Sequence, residues 1–185
     1  MEEGVSKMRN DSSNVRMLVE AGVLIGLAYI MDMIRLFEMP QGGSVTLGSM
    51  IPILIFAIRW GAKPGIMAGL VFGSMQFLLG PKWSFHPLSI LFDYVIAWGC
   101  LGFAGFFKGS MPKLMTGVAV AIFGRFVCHV ISGVTIWSSY APEGTNALVY
   151  SVGYNGTYLG VEALIAMVVF SGLYKPLKSY MVRQA

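Results

Sequence analysis

The sequence predicts an all-α integral membrane protein, built as a compact bundle of six transmembrane helices with both termini in the cytoplasm. Hydrophobic residues make up 56% of the chain and charged residues 12%, with a mean hydropathy of +0.69. A soluble domain carries about twice that share of charge, so the composition excludes an ordinary soluble protein. Apolar tracts alternate with short charged or Pro/Gly breaks, and basic residues gather on one side of these tracts.

Each predicted helix is an apolar tract that follows a polar, proline-containing or glycine-containing break. Residues 1–14 are polar, and the apolar run after them is longer than the core of a signal peptide, so we expect it to remain as the first helix. The six predicted helices are Val15–Phe37, Leu47–Arg59, Pro64–Leu79, Pro87–Phe107, Pro112–Trp137 and Ala147–Tyr174. The chain then divides into an N-terminal cytoplasmic tail (1–14), a membrane domain that binds the substrate (15–174) and a C-terminal cytoplasmic tail (175–185).

The second predicted helix is too short for a straight membrane span, which needs about 20 residues. We therefore expect it to be tilted, interrupted or partly buried by its neighbours.

The basic residues predict the orientation. With six membrane crossings, Arg35 and Lys82 lie on one side, Arg125 lies inside the bundle, and the other Lys and Arg residues lie on the side of the termini. Cytoplasmic segments are rich in Lys and Arg, so both termini are predicted to be cytoplasmic. The net charge of +4 is then a topology signal, and no basic patch with interleaved aromatics indicates nucleic-acid binding. The residues on the terminal side are Lys7, Arg9, Arg16, Arg59, Lys63, Lys108, Lys113, Lys175, Lys178 and Arg183.

Four residues recur at four-residue spacing in the fifth predicted helix: Arg125, His129, Gly133 and Trp137. This spacing places them on one side of a helix, rising about 18 Å along its axis. A guanidinium or an imidazole at membrane depth is costly unless it is paired or faces a polar cavity. The pattern therefore predicts a ligand-binding wall. The structural alternatives are an Arg125 that extends to the membrane surface and a His129 that is a hydrogen-bonded packing residue.

Further polar and aromatic residues fall at the outer ends of the predicted helices. Asp93 and Tyr94 follow the loop 81–87, and a carboxylate inside an apolar span needs a cation, a hydrogen-bond donor or a ligand. For Trp83, Tyr140 and Tyr158 taken singly, a role as membrane-interface anchors is the preferred interpretation. The residues that lead into the sixth helix are Tyr140, Tyr150, Tyr154 and Asn155.

These residue types favour a flat, cationic ligand that carries an amino group. Trp and Tyr rings attract cations and stack on heteroaromatic rings, at about 0.5–2 kcal/mol for each good contact. A carboxylate pairs with an amino-substituted ring, and His and Asn donate or accept hydrogen bonds at its edges. From the residues alone, the ligand is a small cationic or aromatic metabolite.

The order of the motifs resembles the thiamine-specific substrate-binding subunits (S components, ThiT type) of energy-coupling factor transporters. The similar segments cover most of the chain and are VRMLVEAGVLIGLAYI, IPILIFAIRWGAKPGIMAGLVFG, LFDYVIAW, FGRFVCHVISGVTIWSSYAPEG and VYSVGYNG. The most specific of them are His-x3-Gly-x3-Trp-Ser and Tyr-Ser-x3-Asn-Gly, which here are His129, Gly133, Trp137, Ser138, Tyr150, Ser151, Asn155 and Gly156.

The resemblance implies a six-helix subunit that binds thiamine near the outer face of a prokaryotic plasma membrane and has no ATPase or cofactor of its own. It also implies that uptake requires a transmembrane coupling subunit and two ABC-type ATPases. The family has Glu-Tyr where this chain has Asp93-Tyr94, so the carboxylate is one methylene shorter and a pyrimidine or thiazole precursor stays an alternative ligand. By resemblance, thiamine contacts His129, Trp137, Tyr150 and Asn155, Gly133 leaves room for it, Arg125 is the family's basic residue and Tyr94 is the aromatic beside the acid.

The first outer loop lacks the tryptophan that the resemblance leads us to expect above the pocket. Phe37 and Phe72 are the candidate substitutes for that apolar wall.

The first predicted helix carries a GxxxG pattern at Gly22 and Gly26. Small residues at this spacing let another helix approach closely within the membrane, either inside the bundle or from a partner. The resemblance places the coupling subunit on this pattern.

The residues disfavour an enzyme, a metal site and a stand-alone carrier. Ser132 lies one turn from His129, but no oxyanion-hole motif accompanies the pair. The sequence has no Walker motif and no internal repeat of the kind that secondary transporters show. Cys100 and Cys128 fall within spans and are predicted to be buried free thiols. Glu162 is left open: it is placed to form the floor of the pocket, to meet Arg125 or the surroundings of Glu20, or to be protonated.

Overall fold

Within residues 2–181, the computed structural model has six helices and one β-hairpin. The structure describes these residues, and the side chains of residues 12–176 and 178–180. The helices are α1 (Glu2–Met33), α2 (Met50–Trp60), α3 (Ala62–Leu79), α4 (Pro87–Phe106), α5 (Met111–Thr135) and α6 (Ala147–Met181). The hairpin pairs β1 (Arg35–Glu38) with β2 (Ser44–Thr46), and a 3₁₀ turn (Ser138–Tyr140) follows α5. The predicted all-α membrane protein is confirmed, with the hairpin as an addition that the sequence did not predict.

Five of these helices are long and apolar enough to cross a membrane, and α2 is the shorter one. With 11 residues, α2 rises about 16 Å, which is less than the bilayer core of about 30 Å. It packs against α1, α3, α4 and α6, and most of its side chains are buried. Of the three predicted explanations for its short length, burial by neighbouring helices is confirmed.

A row of glycines brings α3 and α4 into close contact. Gly65, Gly69 and Gly73 recur every four residues on α3. Gly69 and Gly73 face the backbone of α4, and Gly65 faces both Ala57 of α2 and the backbone of α4. A Cβ atom on Gly69 would collide with the carbonyl oxygen of Trp98. Because only glycine permits this approach, the row fixes the position of α4, and its last member, Gly73, lies against Tyr94, next to Asp93.

Several predicted helix limits are wrong. The first helix ends at Met33 rather than Phe37, because the Pro-Gln-Gly-Gly turn, with Gly42 at φ 91°, folds the chain back into the hairpin. The fifth helix ends at Thr135, so Trp137 lies beyond it. By contrast, α1 begins at Glu2 and α6 continues to Met181. The apolar pattern marks the part of a helix that lipid solvates, and these helices continue past it.

The end of the bundle opposite the hairpin, here called the basic end, is held by a cluster around Glu20. Arg59 donates to both Glu20 oxygens, at 2.5 and 3.0 Å, and Trp60 and Tyr180 also donate to this carboxylate. The Arg59 guanidinium also lies 4.0 Å from the Tyr180 ring centre. Burial and the nearby carboxylate raise the pKa of Tyr180, so its hydroxyl keeps the proton that it donates. The cluster joins α1, α2 and α6.

Other predicted terminal-side basic residues also lie at the basic end. Lys108 Nζ is 3.5 Å from the Arg59 carbonyl oxygen, and Arg16 pairs with Glu20 at 2.9 Å. The side chains of Lys7, Arg9 and Arg183 lie outside the described residues.

Candidate ligand-binding site

A cavity opens at the hairpin end of the bundle, between the hairpin and the ends of α3, α4, α5 and α6. Its wall includes all eight residues that the sequence predicted for substrate binding: Asp93, Tyr94, Arg125, His129, Gly133, Trp137, Tyr150 and Asn155. Residues that are far apart in the sequence therefore meet in one place.

Asp93 lies at the centre of a group of hydrogen-bond donors. Its Oδ2 atom accepts hydrogen bonds from Ser89 and Ser132, both at 2.6 Å, and from the Trp137 indole at 3.3 Å. Its Oδ1 atom is 3.2 Å from His129 Nδ1. Asp93 lies on a π-helical turn (Ile90–Val95), a local widening of the helix that is frequent at functional sites. No Lys or Arg pairs with Asp93 among the described residues.

His129 uses both ring nitrogens within the protein. Arg125 Nε donates to His129 Nε2 at 3.3 Å, so the ring hydrogen lies on Nδ1, facing Asp93. The chain Arg125–His129–Asp93 therefore holds a neutral imidazole, which offers a ligand its ring surface rather than a free nitrogen. Ser132 donates to Asp93 and not to His129, which removes the arrangement that a hydrolase would need.

Arg125 is held by an aromatic ring and by His129. Its guanidinium carbon lies 3.8 Å from the centre of the Trp98 ring, which is a cation–π contact. Arg125 forms no ion pair with Glu162 among the described side chains, so that alternative for Glu162 is wrong. The Nη1 atom of Arg125 is buried and has no hydrogen-bond partner in the described part of the chain.

The face of α6 that lines the cavity is fixed by internal hydrogen bonds. Asn155 Nδ2 donates to the Ser151 carbonyl at 2.9 Å, and Asn155 Oδ1 accepts from Tyr158 at 2.8 Å. A Cβ atom on Gly133 would collide with Ser151 Oγ. Gly133 therefore leaves room for Ser151 and for the close packing of α5 on α6, and it also lines the cavity.

Aromatic rings form the outer wall of the cavity. Trp137 and Tyr140 have ring centres 5.7 Å apart, and Tyr150 and Tyr154 have ring centres 6.1 Å apart. Trp83 lies against the hairpin turn, where a Cβ atom on Gly42 would come within 2.5 Å of its ring. Tyr94 supports this loop, because its hydroxyl donates to the Pro81 carbonyl at 3.3 Å.

Tyr158, Phe72 and Phe37 do not have the roles predicted for them, whereas for Trp83 and Tyr140, which are 43% and 53% exposed, the role as interface anchors stays a prediction. Trp83 and Tyr140 line the cavity, and Tyr158 is only 6% exposed, so Tyr158 does not anchor the chain in the membrane interface. Phe72 packs in the core against Trp98, with ring centres 4.2 Å apart, and Phe37 is 61% exposed. Trp83, from a different loop, takes the position above the cavity that we expected a phenylalanine to occupy.

The structure adds polar residues that the sequence did not assign to the site. Asp32, in the last turn of α1, accepts two 3.0 Å hydrogen bonds from the Gln76 amide, and Gln76 accepts one from Trp98 at 2.6 Å. Glu162 also lines the cavity. An acid inside an apolar tract was the available signal for Asp32, the same signal that identified Asp93. The cavity wall carries three carboxylates (Asp32, Asp93 and Glu162) and two guanidiniums (Arg35 and Arg125). The guanidinium of Arg35 already pairs with the Glu38 carboxylate at 2.6 Å, so the carboxylates of the wall are in excess.

Cys100 and Cys128 lie next to each other below the cavity, with their sulfur atoms 3.7 Å apart. Both are buried free thiols, which confirms the prediction.

Comparisons with known proteins agree with this geometry. The family model described as thiamine transporter protein (Thia_YuaJ) matches residues 18–181. The thiamine transporter ThiT of Bacillus subtilis (strain 168) is 35% identical over 180 residues, which cover 89% of this chain and 93% of the relative. The protein of the same name from Lacticaseibacillus paracasei is 31% identical over 136 residues, which cover 65% of this chain and 68% of the relative.

A solved structure of ThiT from Listeria monocytogenes has the same fold. It superposes with a TM-score of 0.82 at 23% identity, covering 92% of this chain and 99% of that chain.

Proposed function

The chain belongs to the thiamine transporter family, and on that basis we propose that its cavity binds thiamine for uptake. Membership makes the chain a multi-pass transport protein of a prokaryotic plasma membrane and not an enzyme.

The observation that carries the proposal is the environment of Asp93. Its carboxylate lies beside a cavity with aromatic walls and accepts hydrogen bonds from four neutral side chains. Among the described residues it has no cationic partner. A buried carboxylate of this kind attracts a cation, and the surrounding rings favour a flat one. Thiamine provides a cationic thiazolium ring and an aminopyrimidine ring. The excess of carboxylates in the cavity favours the same charge.

The predicted site residues divide into two roles under this proposal. Asp93, Trp137 and Tyr150 contact the ligand through charge and stacking. Four others hold the walls of the cavity: the polar atoms of Arg125, His129 and Asn155 are mostly hydrogen-bonded within the protein, and Gly133 lets Ser151 pack closely. Tyr94 supports the loop that carries Trp83.

The overall topology is part of the proposal. Residues 15–174 form a membrane domain with six transmembrane helices, and residues 1–14 and 175–185 belong to the cytoplasmic side. The basic residues at the end opposite the cavity support this orientation, because positive charge is enriched in cytoplasmic segments. The cavity then opens to the outside, where the vitamin is collected.

Delivery across the membrane requires a coupling subunit and two ABC-type ATPases, and the proposed contact is Gly22 and Gly26 on α1. A Cβ atom on either glycine would meet nothing within 4 Å, so the GxxxG pattern is not used for packing inside the described bundle. Glycines that face outward at this spacing allow a helix of another subunit to approach closely.

Titration of the detergent-solubilised protein with thiamine, followed by tryptophan fluorescence, tests the proposal. Trp137 and Trp83 line the cavity, so we expect thiamine to quench the signal and Trp137→Ala to reduce the quenching. Pyrimidine and thiazole precursors serve as comparators, because Asp93 is shorter than the family's glutamate. A response to a precursor and none to thiamine would change the assigned ligand, and no response to any of them would contradict the proposal.

A further inference from the structure

Glu162 is a buried carboxylate on α6 whose two oxygens have different environments. The residue is 4% exposed and lines the cavity. Its Oε1 atom accepts two hydrogen bonds from Thr46, one from the backbone nitrogen and one from the hydroxyl at 2.8 Å. Its Oε2 atom is buried and has no hydrogen-bond partner in the described part of the chain. Buried polar atoms without partners are rare and require an explanation.

Thr46 is the last residue of the hairpin, so Glu162 holds the point where the hairpin joins the bundle. The Thr46 hydroxyl also lies 2.9 Å from Ser49 Oγ and accepts a hydrogen bond from the Ser49 nitrogen at 3.1 Å, immediately before α2. These contacts connect β2, α2 and α6 at one carboxylate. The attachment therefore consists of two hydrogen bonds to one buried carboxyl oxygen.

The turn of the hairpin contacts the same helix further along. The Gly43 nitrogen donates to the Tyr154 hydroxyl at 3.1 Å, and Gly43 packs against the Tyr158 ring. Glu162 thus fixes the base of the hairpin, and the tyrosines of α6 fix its tip. When both attachments are formed, the hairpin covers the cavity.

We infer that Glu162 is a positioning residue that couples occupancy of the cavity to closure of the hairpin. A bound molecule, or water ordered by it, that donates a hydrogen bond to Oε2 stabilises the carboxylate that holds Thr46 through Oε1. A ligand shifts a conformational equilibrium by its difference in affinity for the two states, and the coupling is reciprocal. The closed hairpin in turn slows release of the ligand.

The test measures hairpin closure and ligand release separately. Gln41 lies in the partly buried hairpin turn, so a Gln41→Cys variant reports closure by its rate of maleimide labelling, while Cys100 and Cys128 are buried. In this background, Glu162→Gln keeps the shape of the side chain and removes its charge. Thr46→Val removes one of the two hydrogen bonds and leaves the backbone donor. Thr116→Val is the matched control, because among the described residues its hydroxyl bonds only the Pro112 carbonyl, on the exposed surface of α5.

We expect Glu162→Gln to increase the labelling rate of ligand-free protein by about tenfold, and Thr46→Val by less, because a hydrogen bond to a charged group is lost or weakened. Thiamine should slow the maleimide labelling of Gln41→Cys in the parent background and should slow it little when Glu162→Gln is also present. In stopped-flow measurements, the dissociation rate of thiamine should increase by about tenfold in Glu162→Gln with little change in association. Thr116→Val should match the parent in every measurement.

This inference rests on the proposed function only for the choice of thiamine as the probe. If the parent binds thiamine and Glu162→Gln leaves both labelling and dissociation unchanged, the inference is wrong and the proposed function stands. If the parent does not bind thiamine, the proposed function fails, and the labelling of ligand-free protein still decides whether Glu162 holds the hairpin. Should Glu162→Gln not fold, the same comparisons with Thr46→Val decide the question.

Discussion

The two ends of the bundle each contain a carboxylate in a cluster of donors, and the two clusters differ in charge. At the basic end, Glu20 accepts two hydrogen bonds from the guanidinium of Arg59, and neither residue lines the cavity. At the hairpin end, Asp93 accepts hydrogen bonds from neutral groups only and lies beside the cavity. A carboxylate with its own counter-ion has its charge balanced by the fold. A carboxylate without one is available to a cationic ligand.

This difference separates stability from binding. Removing charge from the Glu20 cluster should affect folding, and removing charge from Asp93 should affect ligand affinity. The proposed third function, assembly with a partner subunit, uses Gly22 and Gly26 of α1 and should depend on neither cluster.

The largest effect is expected for Arg59→Met, which leaves Glu20 without its principal cation. The guanidinium side chain is 6% exposed, and breaking a buried pair by removing one partner costs about 3–5 kcal/mol. Denaturant unfolding in detergent measures this loss. Arg16→Met is the control, because Arg16 pairs with the same carboxylate but is 66% exposed, so its loss should cost less than about 1 kcal/mol. Equal effects of the two substitutions would contradict the assignment of Glu20 and Arg59 as a structural pair.

The second effect is expected for Asp93→Asn, which keeps the side-chain shape and removes the charge. We expect the affinity for thiamine to fall by about 100-fold, because a hydrogen bond to a charged group contributes about 1.5–3 kcal/mol. Unfolding should change less than it does in Arg59→Met. Glu143→Gln removes an exposed acid and should leave the titration unchanged. An Asp93→Asn protein that binds thiamine as tightly as the parent would show that the cavity does not use this charge.

The sequence predicts features that lie within one helix better than contacts between helices or loops. Asp93 was identifiable because it interrupts an apolar tract, and the stripe from Arg125 to Gly133 because helical spacing places its members together. The partner of Glu20 was not identifiable, because Arg59 belongs to a different helix and only tertiary packing brings them together. The hairpin and Trp83 were missed for the same reason, since their positions depend on contacts between loops.

The spacing of glycines likewise does not reveal which helix packs against them. Gly22 and Gly26 have the four-residue spacing of Gly65, Gly69 and Gly73, but only the second row is packed inside the described bundle. The spacing indicates that a helix can approach closely. It does not indicate whether that helix belongs to the same chain, and the structure supplies this information.

The third effect is expected for Gly22→Leu, which adds bulk to the outward face of α1. Thiamine affinity should stay as in the parent and the protein should be no less stable, because no atom lies within 4 Å of the added Cβ. Uptake by cells should fall by about tenfold or more, because a small-residue contact between helices requires close approach. Gly69→Leu is the contrasting variant and should not fold, since α4 occupies the space. Loss of thiamine binding in Gly22→Leu would contradict the separation of assembly from capture.

The smallest effect is expected for Gly26→Ala. Its free energy of unfolding should change in the opposite direction from that of a substitution in the packed glycine row of α3. The added methyl group meets nothing within 4 Å, so the substitution should stabilise α1 by about 0.5–1 kcal/mol through the reduced backbone freedom of alanine. Gly73→Ala, in the buried row, should instead destabilise the protein, because its Cβ would collide with the Tyr94 carbonyl. Thermal unfolding of both variants in the same detergent gives the two signs. If both changes are destabilising, the face of α1 around Gly26 is packed in the folded protein, and the partner site must lie elsewhere.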